Sequence, residues 1–259
     1  MKTRISQMNL NPRHQEILDL ARQKGYLSTD ELTKLFKVTS QTIRRDINEL
    51  CGLGLLRRYH GGAGLASSIE NVDYSARQIL NHEEKQRIAR LVAEHIPDNA
   101  SLFLNIGTTT EEVAKALSGH KNLRVITNNL NVAGLLCDNP NFEVIVAGGV
   151  VRRDRGVIGE STIDFIRQFK VDFGIIGISG VDADGTLLDF DYREVHVAQS
   201  IIENARKIFL VTDHTKFNSN PMVRLCHISG IDALFTDQQP PKEILSAIRE
   251  AKIALHVAP

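Results

Sequence analysis

Residues 28–50 read STDELTKLFKVTSQTIRRDINEL, two amphipathic segments with almost nothing between them. Ser28 followed three residues later by Glu31 has the spacing of a capping box, in which each side chain satisfies an orphan amide at a helix start. Leu32, Leu35 and Phe36 then supply an apolar stripe. The pattern restarts at once: Thr39 fits an N-cap, and Ile43, Ile47 and Leu50 recur at i, i+4 and i+7, the inner face of a further helix. Upstream, RHQEILDLARQKGYL places Ile17, Leu18, Leu20 and Ala21 on one helical face and stops at Gly25. Downstream, CGLGLL ends the third helix with two glycines, and LLRRYHGGAG reads as a strand that turns back at Gly61 and Gly62. Three short helices, the last two nearly abutting, followed by a hairpin predict a winged helix-turn-helix.

Charge supports a polyanionic partner for this segment. The chain of 259 residues has a formal net charge of zero, yet residues 1–66 carry eleven Lys/Arg against six Asp/Glu, a local +5 that leaves −5 for the rest. A basic head on an acidic body suits nucleic acid, although such a charge is also common on a solvated surface. With Ile43, Ile47 and Leu50 inward, the 100° spacing of a helix turns Gln41, Thr42, Arg44, Arg45 and Asn48 outward. Arg can fork onto guanine, and Gln or Asn onto adenine, in a major groove. First-turn positions favour Gln41, Thr42 and Arg45 for bases, leaving Arg44, and Arg57 and Arg58 on the wing, for phosphates. The competing reading is a solvated helix whose arginines pair with Asp46 and Glu49.

Residues 67–81 show no sustained period and are expected to be a linker. From His82 to residue 259 the character changes. After the helix EEKQRIARLVAEHI come the apolar runs SLFLNIG, LRVITNN, FEVIVAGG, VDFGIIGISG, KIFLVTD, DALFTD and IALHV, several separated by amphipathic stretches. Runs apolar on both faces and joined by helices predict an α/β domain built on a doubly wound parallel sheet. In such sheets ligands bind outside the strand C-termini. NIGTTTEEV is a strand ending at Gly107 with three threonines, Thr108, Thr109 and Thr110, opening a helix. Free amides and the helix dipole favour an anion there, against the alternative of simple capping. The same rule brings Asn128 and Asn129, Gly148 and Gly149, Ser179, Gly180 and Asp182, and Lys216 to the crevice. Asp191, with Asp182, Asp184, Asp189, Arg193 and Glu194, is either a polyol-binding cluster or a solvated loop.

No apolar run approaches the roughly 18 residues that span a bilayer, and the N-terminus lacks a secretory apolar stretch. Cys51, Cys137 and Cys226 lie far apart, so neither a disulfide framework nor a metal site is suggested, and a reduced cytoplasmic setting is expected. GIIGISGVD is neither GxGxxG nor GxSxG, so no dinucleotide cofactor and no nucleophile elbow is predicted. His82, His95, His196 and His214 lack metal-ligand spacing and read as surface residues.

The motif STDELTKLFKVTSQTIRRDINEL followed by LLRRYHGGAG resembles the N-terminal domain of DeoR-family bacterial repressors. The resemblance continues through IGTTTEEVAKAL, VITNNLNVA, VIVAGG, FGIIGISGVDADGTLLDFDYREV and LVTDHTKF, nearly the whole chain from Pro12. It implies a winged helix-turn-helix bound to double-stranded operator DNA and a sensor domain resembling sugar-phosphate isomerases. It further implies a phosphorylated small-molecule inducer, glycerol 3-phosphate, and a homo-oligomer with no membrane partner. Lys216 resembles the lysine that such folds aim at the ligand phosphate. Isomerases of this fold need a carboxylate base, and an ungapped count back from DHTK puts that position at Ala198, which implies binding without catalysis. A sugar-phosphate isomerase or deaminase carrying a DNA-binding domain is the alternative.

Overall fold

The computed structural model describes residues 10–24, 26–53, 55–59, 62–64, 74–217 and 219–259. The chain forms two units, Met1–Leu80 and Asn81–Pro259. The first contains α1 (Pro12–Lys24), β1 (Tyr26–Ser28), α2 (Thr29–Phe36), α3 (Ser40–Gly52), β2 (Arg57–Tyr59), β3 (Gly62–Gly64) and α4 (Tyr74–Ile79). Ser28 caps α2 by accepting from the Glu31 amide, and Thr39 caps α3 by accepting from the Thr42 amide. Lys37 takes the left-handed conformation (φ 53°) that stops α2 and lets α3 begin three residues later. Ile17, Leu18, Ala21, Leu32, Ile43, Ile47 and Leu50 close into one core. Leu35 does not join it and is 51% exposed. A helix of two turns packs through Leu32 and Phe36 at i and i+4, and Leu35 falls off that line.

The wing is a three-stranded antiparallel sheet in the order β1-β3-β2, with Leu27 opposite Ala63 and Arg58 opposite Ala63 on the other side. The expected hairpin gains a third strand, Tyr26–Ser28, too short to display an alternation. His60 and Gly61 at the expected turn, Gly25 and residues 65–73 lie outside the described residues. Within the stretch expected to be a linker, Tyr74–Ile79 is helical and Leu80 is buried in the first core. Six residues are too few for a helical period to register.

Asp46 is the polar centre of this unit. It is 4% exposed and accepts from Arg13 Nε (2.6 Å) and Nη2 (3.0 Å), with His14 Nε2 at 3.1 Å. Burial alone would raise its pKa; the hydrogen bonds from Arg13 and His14 overcome this and hold the carboxyl below its usual range. The network ties α1 to α3.

The second unit comprises α5 (His82–Ala93), β4 (Ser101–Leu104), α6 (Thr108–Ala116), β5 (Leu123–Thr127), α7 (Leu130–Leu136), β6 (Phe142–Val146), β7 (Val150–Val151), β8 (Val157–Ile158) and α8 (Glu160–Ile166). There follow β9 (Val171–Gly177), β10 (Gly180–Val181), β11 (Thr186–Asp189), α9 (Tyr192–Glu203), β12 (Ala205–Val211), β13 (Val223–His227), β14 (Ala233–Thr236), α10 (Lys242–Ala251) and β15 (Ala254–Val257). Seven strands form a wholly parallel sheet in the order β15-β14-β12-β9-β4-β5-β6. Alternate residues feed two cores: Phe103, Ile126, Ile176 and Leu210 on one face, Leu104, Val125, Ile175 and Val211 on the other. The chain winds outward from β4 to β6, then returns to β9 on the opposite side of β4. This reversal makes the C-terminal ends of β4 and β9 the topological switch point. Among the described residues, no helix is long and apolar enough to cross a membrane.

Just beyond β12, Asp213 is 2% exposed. It accepts from Asn81 Nδ2 (3.0 Å) and the Thr215 amide (3.0 Å), and from the Thr215 hydroxyl. Burial pushes its pKa up, but the charges of Lys216 and Lys85 and the Thr215 hydrogen bonds bring it down to about 2. Lys85, on α5, is itself 4% exposed.

Two predictions follow from these buried carboxylates. Asp46→Ala leaves Arg13 and His14 without their acceptor and is expected to destabilise the first unit by about 3 kcal/mol, the scale for breaking a buried pair. A urea melt of the full chain at pH 7 reads this as a lower midpoint for that unit; an unmoved midpoint would mean that the network contributes nothing net. Asp213 has a folded pKa below its ordinary 3.8, so its contribution is complete above that pH and is lost as pH falls towards 2. Asp213→Asn should therefore lose about 2 kcal/mol near neutrality, the gap to the parent closing in acid. A gap independent of pH would remove ionisation of Asp213 as its source.

Candidate functional site

An open groove of about 1010 Å³ runs along α3. Six of the seven residues expected to meet DNA line it: Gln41, Thr42, Arg44, Arg45, Asn48 and Arg58. Arg57 is exposed on β2 but does not line the groove. Gln41, Arg44, Arg45 and Asn48 are exposed and Thr42 is half-buried, while Ile43, Asp46, Ile47 and Leu50 face inward. Asp46, expected as a partner for the helix arginines, is instead turned to Arg13 and His14. Arg45 Nε donates to Glu49 Oε1 at 3.0 Å, with the Arg45 side chain 82% exposed. Such exposed pairs are worth only a few tenths of a kcal/mol, so the guanidinium is readily redirected. Arg58 Nη1 donates to Asn48 Oδ1, linking the wing strand to α3. Asn11 and Arg13 also line the groove. Sequence reading passed over them because they precede the helix that carries the periodic signal.

The second site lies at the C-terminal rim of the parallel sheet. Gly107 (φ 151°) is the N-cap of α6, and Thr108, Thr109 and Thr110 open its first turn, each no more than 8% exposed. Their tasks differ. Thr110 Oγ1 donates to the carbonyls of Asn105 and Gly107 at 2.8 Å, and so secures the strand-to-helix turn. Thr108 and Thr109 bring hydroxyls and backbone amides to the positive end of the helix dipole, an arrangement that suits an anion.

Asn129 caps α7 by accepting from the Asn131 and Val132 amides and donates to Glu111 Oε1, so both ends of its amide serve the fold. Asn128 Nδ2 donates to the Val157 carbonyl at 3.0 Å, while Asn128 Oδ1 and Asn105 Oδ1 are buried without a partner among the described residues. Gly148 accepts from Thr162 Oγ1 through its carbonyl. Gly149 (φ 152°) leaves no room for a Cβ, which would lie 2.2 Å from that hydroxyl. Ser179 Oγ donates to Asp189 Oδ1 at 2.9 Å. A Cβ on Gly180 would lie 2.3 Å from the Ser219 carbonyl. Asp182 closes the β10–β11 turn through its backbone, accepting from Gly185. Lys216 ends the short 3-10 turn His214–Lys216 after β12, beside Asp213.

Asp191 caps α9 and pairs with Arg193 at 2.8 Å. Together with Asp154 and Glu194 it also holds Arg152, whose guanidinium meets all three carboxylates within 3.2 Å. The sequence reading missed Arg152, because its partners are up to 42 residues away. The segment Arg152–Ile158 forms a strap. At one end Arg152 holds Asp191 and Glu194, and at the other the backbone of Arg155 and Val157 bonds to Leu130 and Asn128. Gly156 packs so closely on Ile106 that a Cβ would lie 2.6 Å from its side chain. Of the histidines read as surface residues, His95 is exposed and packs edge-on against Phe235 and His256, whereas His214 is half-buried and its Nδ1 bonds Asp237 Oδ2 at 2.6 Å. Among the described residues, no three His, Cys, Asp or Glu gather as metal ligands would. Ala198 is 4% exposed within the α9 core.

Comparison with known proteins agrees with this division. Residues 13–69 match the DeoR-like helix-turn-helix domain and residues 80–238 the DeoR C terminal sensor domain. The chain is 51% identical over 251 residues to the glycerol-3-phosphate regulon repressor of Escherichia coli (strain K12), covering 96% of this chain and 100% of that protein. It is 42% identical over 252 residues to the HTH-type transcriptional repressor CsqR of the same organism, covering 97% of each. Among solved structures, ribose 5 phosphate isomerase A from Neisseria gonorrhoeae aligns over 54% of each chain, at 15% identity and a TM-score of 0.39. The similar full-length proteins are repressors, which decides between the repressor and enzyme readings. A helix-turn-helix with a basic groove, joined in one chain to a parallel-sheet sensor, thus belongs to the DeoR family of transcriptional repressors.

Proposed function

We propose that this repressor controls genes of glycerol 3-phosphate metabolism in the cytoplasm and leaves its operator on binding glycerol 3-phosphate. The observation that carries this reading is the 51% identity, over 96% of the chain, to a glycerol-3-phosphate regulon repressor. In this reading α3 enters the major groove, with Gln41, Thr42 and Arg45 on bases and Arg44 on phosphate. Asn48 faces the groove edge, and Arg57 and Arg58 grip the backbone from the wing. The inducer's phosphate sits at the N-terminus of α6, against Thr108 and Thr109, with Lys216 as a point charge. Asn128, Gly148, Ser179, Gly180 and Asp191 shape the remainder of the crevice; Thr110, Asn129, Gly149 and Asp182 hold its walls. The inducer must bind the low-affinity conformer better than the DNA-bound one, since equal affinity shifts nothing. The working form is a homo-oligomer on a duplex operator, as helix-turn-helix proteins pair on symmetric half-sites.

A gel shift of the full chain on the DNA upstream of its own gene, challenged with glycerol 3-phosphate and several sugar phosphates, tests the whole reading. Release by none of them would overturn the assignment of the inducer. Arg45→Ala is expected to weaken operator binding by about fivefold or more, the least expected for losing a bidentate base contact, while ligand-induced thermal stabilisation persists. Equal operator affinity at matched salt would exclude Arg45 as a reader. Thr109→Ala and Lys216→Ala should keep DNA affinity and lose most of the inducer response. Normal release of DNA by both would move the phosphate elsewhere.

A further inference from the structure

Among the described residues, three buried side-chain polar atoms have no hydrogen-bond partner: Asn105 Oδ1, Asn128 Oδ1 and Thr236 Oγ1. Thr236 stands apart at the end of β14, three places along the sheet from β4. The two asparagines are neighbours. Leu104 and Thr127 pair in register, and Asn105 and Asn128 are the next residues on these adjacent strands, whose backbones lie ~4.8 Å apart. They are 2% and 1% exposed. Buried polar groups are almost always satisfied, so two adjacent exceptions at the ends of β4 and β5 call for a donor. Turning over the Asn128 amide gives no relief, because its Nδ2 already donates to the Val157 carbonyl and a flip would set two carbonyls face to face.

Two buried acceptors without a donor, on residues that follow paired positions of adjacent strands, suit hydroxyl groups and repel phosphate oxygens. Asn105 precedes Gly107 by two residues, at most roughly 7 Å of chain, a span that a short phosphorylated polyol covers. We infer that Asn105 and Asn128 accept hydroxyl protons from a phosphorylated polyol and so set a preference for hydroxylated over plain alkyl phosphates. The inference rests on the proposed seat of the phosphate at α6. The strap Arg152–Ile158 bonds to Asn128 through both the Val157 amide and carbonyl, which fixes the orientation of the Asn128 side chain.

Calorimetric titration of the full chain with glycerol 3-phosphate, 1-propyl phosphate and inorganic phosphate separates the two claims. The parent is expected to bind glycerol 3-phosphate roughly 100-fold more tightly than propyl phosphate, about tenfold per hydroxyl. Asn105→Leu should reduce that ratio to roughly tenfold with inorganic phosphate binding unchanged. Asn105→Asp keeps an acceptor; it should weaken all three anions yet retain the ratio. A parent that binds glycerol 3-phosphate and propyl phosphate alike would overturn the inference, leave the phosphate seat standing and assign the orphaned carbonyls to buried water. A full ratio in a folded Asn105→Leu protein would also overturn it. A parent that binds none of the three would sink the phosphate seat and the inference together. Because the parent's ratio is itself decisive, a variant that fails to fold does not rescue the idea.

Discussion

Seven strands running the same way must end on the same rim, and each brings a backbone that has left its ladder and needs new partners. That constraint organises the sensor. Thr110, Asn129, Ser179 and Asp213 are all spent on the turns that carry the chain from a strand into its next element. What they leave over is small: the first turn of α6 and two carbonyls.

The first unit answers a similar problem on a smaller scale. Fewer than thirty residues per core helix pair leave little apolar area, and the packing of Ile43, Ile47 and Leu50 is supplemented by a charged lock. Asp46 sits where a hydrophobic residue would be expected on α3, and it takes the two donors of α1 that would otherwise be loose. One face of α3 is thereby pinned twice, by core and by ion pair, and the opposite face stays clear for polar side chains.

Legibility in the sequence followed the range of the interaction concerned. Caps at Ser28 and Thr39 and the inward set Ile43, Ile47 and Leu50 are local, and their spacing alone reveals them. The parallel sheet was legible because its strands are apolar on both faces. Leu35 was misread since periodicity cannot say how many turns of a short helix meet a neighbour. The strand Tyr26–Ser28 and the helix Tyr74–Ile79 are too short to carry a period. In the crevice, residue type located the rim but not the duty of each atom. Whether a threonine hydroxyl serves a turn, as Thr110 does, or is left for a ligand depends on carbonyls placed by the tertiary fold. Arg152 was invisible for the same reason, its three carboxylates being assembled from the β7–β8 connection and the start of α9.

The contact between Arg45 and Glu49 gives α3 a built-in competitor. Any surface that recruits the Arg45 guanidinium has to outbid a carboxylate already in place and, having done so, leaves that carboxylate facing a polyanion. On the proposed mode of binding, Glu49 thus imposes the same small cost on every partner of Arg45, a few tenths of a kcal/mol at this exposure.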